Sequence, residues 1–404
     1  MILWSSARRR ESNVASAELY CDASATTPPL KKVLEAMQEA YAHAWANPSS
    51  LHGHGLAAAE ALERARQRMV HLLGVPSQEL LITSGATESV HLALLGAVAA
   101  QQPAQIVISA VEHPAVVAAA ESLQCDGWQL KIWPVGPDGG LRMDLLDAML
   151  APPTRLVSLN WGQSEIGTLQ PIIRIGEACR QRGIVLHTDA TQLLSQGRPD
   201  WSRLPVDLLS GSAHKFRGPR GVGLLLHRPG VLQRPLLGGG GQQGGWRSGT
   251  ESIALAAGMA EALAALPVYC PEDGREPPPG ASPQLRRWRD RLLGQLLQRD
   301  GVHAVGADPD HRLPHHLSLV VEAVGGGPAS GRELVRQLSR QGIAASSGSA
   351  CSSGRSQDSP VLTAIGVRPE LRRSGLRLSL GGWLRDSDLD SIPERFDAAR
   401  SACS

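Results

Sequence analysis

From about Leu19 to Leu266, short apolar runs alternate with longer amphipathic stretches, and this rhythm leaves the chain few ways to fold. Leu80–Thr83, Gln105–Ser109, Leu156–Leu159, Gly183–His187 and Val206–Ser210 read as strands, while Glu60–Leu73 and Pro171–Arg182 read as helices. Strands that are apolar along their whole length must be covered on both faces, so the pattern predicts an α/β fold with a mostly parallel central sheet. Such a sheet collects its functional groups at the carboxyl ends of its strands, where the polar residues of these runs lie. The rhythm breaks at the Pro/Gly-rich interval Pro271–Pro283. A helical stretch, Leu285–Arg299, follows, and then come strand candidates Leu317–Val321 and Leu376–Leu380. The expected organisation is an N-terminal extension (1–18), a large domain (19–266), a connector (267–283) and a smaller α+β C-terminal domain (284–404) that carries a cysteine on a small-residue loop.

Composition narrows the function. A net charge of +2 with 3% aromatic residues gives little support to phosphate contacts or base stacking, so no nucleic-acid partner is expected. No continuous apolar run reaches membrane-spanning length, and the segment after Arg8–Arg10 is polar. Neither a membrane nor a secretory route is expected, and the cytoplasm is the default. The cysteines at 21, 125, 179, 270, 351 and 403 form no C-x-x-C pair and no zinc-ligand spacing, so neither a disulfide framework nor a metal is expected.

Against this background one residue stands out. The 404-residue chain has only four lysines (Lys31, Lys32, Lys131 and Lys215), and almost all its basic residues are Arg. Lys215 follows His214 at the end of an apolar run, in Ser210-Gly211-Ser212-Ala213-His214-Lys215. A desolvated amine can lose its proton and form a Schiff base with an aldehyde, which a guanidinium cannot do; an ordinary surface Lys fits the fragment equally well.

Other fragments acquire meaning beside it. Thr83-Ser84-Gly85-Ala86-Thr87-Glu88 runs from a strand through a small-residue turn into a helix; its free amides and the Thr87 hydroxyl suit a phosphate, and a capped helix start without a ligand fits too. His187-Thr188-Asp189 leaves a carboxylate at a strand end in apolar surroundings, suited to a protonated pyridine nitrogen or to capping a helix. His113, in Glu112-His113-Pro114, is placed to stack on a flat ring and relay protons, or to serve the fold. The glycine-rich run 238–245, leading into Arg247-Ser248-Gly249-Thr250, lacks the Gly-Lys-Ser/Thr of a Walker loop. In Ala345–Ser356, Cys351 is flanked by small residues, as expected of an accessible thiol or of a loop with an incidental cysteine.

Taken in order, these fragments resemble the cysteine desulfurases of the class V aminotransferase family, in particular the group with a long catalytic loop. The resemblance also rests on Tyr20–Thr27, Asn47–His52, Ser347–Cys351 and Arg377–Gly381. It implies a fold-type I pyridoxal-phosphate-dependent transferase acting as a homodimer on L-cysteine, with L-alanine as product. Sulfur is passed to a persulfide on the enzyme and on to an acceptor or iron–sulfur scaffold protein, for iron–sulfur clusters or thio-cofactors. By matching position, Lys215 carries the cofactor, Asp189 pairs with its ring nitrogen, His113 stacks on the ring, and Gln192 and Ser164 face the ring oxygen. Ala86, Thr87, Ser212 and His214 hold the phosphate, and Thr250 reaches it from the other subunit. Arg377 binds the substrate carboxylate through a bidentate fork, and Cys351 is the nucleophile.

Two stretches depart from the family pattern. Gln163-Ser164-Glu165 stands where Asn-Asn-Glu is usual, and Asp22-Ala23-Ser24-Ala25 where Asp-Asn-Asn-Ala is usual. Ser164 is shorter than Asn and lacks its amide, so a contact with the ring oxygen needs a water or a shifted ring. Two other readings are a related lyase or aminotransferase, for instance one acting on selenocysteine, and a scaffold with weakened catalysis.

Overall fold

The computed structural model describes residues 18–269, 282–348 and 358–403. A seven-stranded sheet forms its centre, built from β1 (Leu80–Thr83), β2 (Gln105–Ser109), β3 (Gln129–Trp133), β4 (Thr154–Asn160), β5 (Val185–Asp189), β6 (Leu208–Ser212) and β7 (Gly223–His227). Their spatial order is β1-β7-β6-β5-β4-β2-β3. Strand β7 runs against both neighbours, β1 and β6, and the remaining pairings are parallel. Thr83, Asn160, Asp189 and Ser212 therefore end their strands along one edge of the sheet.

The strands deliver alternate side chains to two cores, as a period of two requires. Val107, Val157, Leu209 and Leu224 enter one core. Ile106, Leu156, Leu208 and Leu225 enter the other. Helices α1 (Lys31–His43), α2 (Gly53–Leu73), α5 (Ile172–Arg182) and α6 (Ile253–Ala264) serve the first face, and α3 (Ala86–Val98) and α4 (Pro114–Cys125) the second. Helix α5 stops at Gly183, whose φ of +65° is a left-handed cap, so the next strand begins at Val185 rather than at Gly183 as the sequence suggested.

The second region holds a three-stranded antiparallel sheet, with β8 (Val302–Ala304), β9 (His316–Val321) and β10 (Gly375–Ser379) in that spatial order. It packs on Pro283–Leu296 and on the C-terminal helix Ile392–Ser401. The chain segment Leu19–Tyr20 pairs with Ile343–Ala344, and buried Cys21 joins this second core. The loop entering the large sheet region is thus fastened to the C-terminal strands, which brings Asp22 and Ser24 beside Ser379.

Candidate active site

Lys215 lies on the single helical turn Ala213–Lys215 that follows β6. Its Nζ donates to the carbonyls of Ser24 (2.6 Å) and Ala25 (3.0 Å). Burial, and then the positive charge of Arg377, lower its pKa to about 8, with Asp189 and Asp22 opposing. At pH 7 about a tenth of this amine is therefore neutral and nucleophilic, far more than of an ordinary lysine.

Asp189 ends β5 nearly buried, and its Oδ1 accepts a bond from the Thr191 amide at 3.0 Å. Below it, His187 bridges the neighbouring strands, meeting Ser158 Oγ at 2.8 Å and Ser210 Oγ at 3.1 Å. Burial pushes His187 down to about 4, so it stays neutral and fixes β5 between β4 and β6.

His113 caps α4: its Nδ1 accepts from the Ala115 amide at 3.1 Å. With Nδ1 bound in that way, the neutral ring carries its proton on Nε2. Burial lowers its pKa, with Asp189 opposing and Lys215 assisting, so these three groups share one electrostatic neighbourhood. The adjoining Glu112 is buried; its Oε1 accepts from Ser109 and from both the backbone and side-chain amides of Asn160. Burial raises Glu112 to about 8. Sequence reading quoted Glu112 only as a neighbour of His113, because a buried carboxyl and a solvated one look alike in a sequence.

The phosphate candidates gather where α3 begins. No side chain caps this helix, and its N-cap residue Gly85 has φ +155°. A Cβ at Gly223 would lie 2.7 Å from the Gly85 Cα, so only glycine on β7 lets the turn sit this close to the sheet. Ser212 ends β6 on the same side, its Oγ 3.7 Å from where a Gly85 Cβ would stand. His214 Nδ1 meets Thr26 Oγ1 at 3.0 Å, and burial lowers its pKa to about 4. Ala86 and Thr87 supply first-turn amides. Thr250 is exposed beside a small cleft of about 180 Å³ whose lining includes Ser84, Val222 and Gln243.

Gln192 gives its amide NH2 to the Ser24 carbonyl at 3.0 Å, and its buried Oε1 has no partner among the described residues. Ser164 contributes its main-chain carbonyl, which accepts from Arg377 Nη1 at 2.9 Å and lies 3.1 Å from His316 Nε2. Arg377, on β10, also donates Nη2 to Asp22 Oδ1 at 2.7 Å. The structure thus brings together Lys215, Asp189, His113, Gln192, Ser164 and Arg377. Cys351 lies outside the described residues.

These residues fit pyridoxal phosphate. An uncapped helix start with Ser212 beside it suits the phosphate, and Asp189 suits a protonated ring nitrogen. The lowered Lys215 amine suits an aldehyde, and the unpartnered Gln192 Oε1 leaves a buried polar atom for a ring substituent. Fold and site together define a fold-type I enzyme dependent on pyridoxal phosphate.

The chain belongs to the Aminotransferase class-V family, which matches residues 19–392. It stands among the cysteine desulfurases of that family. It is 36% identical over 378 residues to cysteine desulfurase IscS of Methanosarcina thermophila, covering 93% of this chain and 90% of that protein. Identity to a cysteine desulfurase of Cereibacter sphaeroides is 38%, covering 93% and 94%. Among solved structures, a NifS-like protein aligns with TM-score 0.82 and 29% identity, covering 94% of this chain and 98% of that one. SspA in complex with cysteine aligns with TM-score 0.76 and 28% identity, covering 90% and 98%.

Proposed function

We propose that this cysteine desulfurase converts L-cysteine to L-alanine and passes the sulfur to its own Cys351. The observation that carries this reading is Lys215, an amine lowered to about 8 at the carboxyl edge of the sheet, sharing its surroundings with Asp189 and Arg377. Bound pyridoxal phosphate supplies an electron-withdrawing ring that stabilises negative charge at the substrate Cα. Asp189 keeps the ring nitrogen protonated, His113 covers the ring, and Ala86, Thr87, Ser212 and His214 hold the phosphate. Gln192 and Ser164 flank the ring oxygen; the Gln192 amide nitrogen gives one hydrogen to the Ser24 carbonyl and has a second to offer. Arg377 binds the substrate carboxylate, and Lys215 removes the Cα proton and returns one. The Cys351 thiolate bonds to the substrate sulfur as that sulfur leaves its carbon, so L-cysteine and the enzyme thiol become L-alanine and an enzyme persulfide with no external oxidant.

The acceptor that consumes this persulfide is a sulfur-carrier or iron–sulfur scaffold protein, and the cytoplasm is the proposed compartment. A homodimer is supported by exposed apolar side chains grouped on α1, α2 and their connection: Tyr41 is 63% exposed, Trp45 65% and Leu51 90%. Such a face is costly in water and suits a second copy, whose Thr250 completes the phosphate site. The proposed division remains a large cofactor domain (19–266) and a smaller C-terminal domain (284–404). Among the described residues no helix is long and apolar enough to cross a membrane.

The deciding assay follows alanine and persulfide together after L-cysteine is added. One alanine formed per sulfur transferred, with persulfide lost in Cys351→Ala but cofactor colour kept, supports the reading. Alanine without any protein persulfide, or persulfide unchanged in Cys351→Ala, rejects the assigned acceptor. Release of alanine from selenocysteine alone favours the lyase alternative.

A further inference from the structure

The two stretches that depart from the family pattern meet adjacent buried histidines. His315 Nε2 lies 3.4 Å from Ser24 Oγ, and His316 Nε2 lies 3.1 Å from the Ser164 carbonyl. The rings stand nearly perpendicular, with centroids 6.1 Å apart. Both residues are buried; His316 begins β9, the strand beside Arg377 on β10, and His315 immediately precedes it.

A carbonyl oxygen only accepts, so the ring of His316 must donate from Nε2. The Ser164 oxygen then has its two lone pairs engaged, one by His316 and one by Arg377 Nη1 at 2.9 Å. With Nε2 as donor, neutral His316 has a bare Nδ1, and that atom is buried with no partner among the described residues. An apolar ring or chain would fill the same space without this cost, so the polarity of His316 is useful through its other nitrogen. The backbone makes room for it: Gly167 has φ +79°, and a Cβ there would stand 2.7 Å from His316 Nδ1. The rings also add no charge beside the guanidinium, since burial holds His315 at about 3 and His316 well below its ordinary value.

We propose that His316 is a positioning residue for Arg377: by sharing the Ser164 carbonyl it fixes the peptide that aims the guanidinium at the substrate carboxylate. The inference rests on the assignment of Arg377 as the carboxylate-binding group. The contact uses only the main-chain carbonyl at position 164, so this part of the site does not depend on whether Ser or Asn stands there.

The test uses holoenzyme variants His316→Leu, His316→Asn and His316→Gln. Gln can place an amide donor where Nε2 stands, whereas Asn is too short and Leu has none. Two quantities are read: KM and kcat for L-cysteine, and the dissociation constant of L-alanine and of L-alanine methyl ester from the shift of the cofactor's visible band. The expected result for Leu and Asn is about tenfold weaker binding of L-cysteine and L-alanine, near-normal kcat, an unchanged ester constant, and recovery in Gln. Equal losses for acid and ester, a fall in kcat with KM unchanged, or no recovery in Gln overturns the proposal. Should His316→Leu not fold, the Asn and Gln pair carries the same comparison. Wild-type enzyme that binds L-alanine but forms none from L-cysteine defeats the desulfurase reading while leaving this inference measurable. Wild-type enzyme with equal affinity for acid and ester defeats this inference.

Discussion

Arg377 Nη2 lies 2.7 Å from Asp22 Oδ1, an ion pair that joins the beginning of the described chain to one of its last strands across 355 residues. Both side chains are largely buried, 9% and 18% exposed, so water screens the pair weakly. Asp22→Asn keeps the shape but removes the countercharge of a buried guanidinium. The expected cost is about 1–3 kcal/mol, read as a lower denaturant midpoint with an unchanged slope. A midpoint equal to wild type would mean that the Ser164 carbonyl suffices to hold Arg377.

Lys215→Ala is expected to abolish the cofactor's visible absorbance between about 380 and 430 nm and turnover together, while far-UV circular dichroism is retained. The fold tolerates the change because Lys215 sits on a half-buried turn and bonds only two loop carbonyls. Turnover that survives in this variant would reject the Schiff-base assignment.

The same lysine is expected to react with an amine-directed reagent in cofactor-free protein along a titration centred near 8, far below the ordinary lysine value of about 10.4. The sign follows from burial, which penalises the ammonium. Because the folded chain binds fewer protons here than the unfolded chain, this residue's cost is full below about 8 and disappears as pH rises toward an ordinary lysine value of about 10.4. Peptide mapping of the labelled protein across that range checks it.

Glu112 gives the opposite slope. Its folded pKa is raised to about 8, so the folded chain holds a proton that the unfolded chain releases from about 4.3 upward. The advantage of the protonated form is complete below the unfolded value and is lost as pH rises toward 8. Glu112→Gln keeps the acceptor oxygen used by Ser109 and Asn160, and is expected to fold as well as wild type at pH 5 and better at pH 8. Urea titrations at both values decide; parallel losses at both would show that the carboxyl is ionised in the fold.

Strand β1 is an edge strand, and the Gln243 side chain pairs with it in place of another strand: Oε1 accepts from the Ile82 amide at 2.6 Å and Nε2 donates to the Ile82 carbonyl at 2.7 Å. Arg247 adds a two-point ion pair with Glu88 in the first turn of α3. Gln243→Glu sets a carboxylate against the Ile82 carbonyl, so it is expected to destabilise more than Gln243→Ala, which costs about 1–2 kcal/mol. Thermal unfolding of the two variants gives the order, and Glu equal to or better than Ala would discount the paired-amide role.

Much was legible in the chain itself. Runs such as Leu80–Thr83 and Gln105–Ser109 form strands with those limits, because a segment apolar on both sides has no stable place except the inside of a covered sheet. The scarcity of lysine singled out Lys215, and a strand-end position singled out Asp189, since the parallel connections put carboxyl ends on one edge whatever the loops do; Ser212 came from the family resemblance, and its strand runs two residues past the Ser210 limit read from sequence. What the tertiary structure alone decided is the second set of partners. Ser24 holds Lys215 and Gln192, Asn160 holds Glu112, and His316 shares a carbonyl with Arg377. These pairings join residues tens to hundreds of positions apart, and both their geometry and the pKa shifts of Lys215 and Glu112 arise from burial. Local periodicity carries information about which face a residue lies on, but desolvation depends on every element packed around it, and that exists only once the chain has folded.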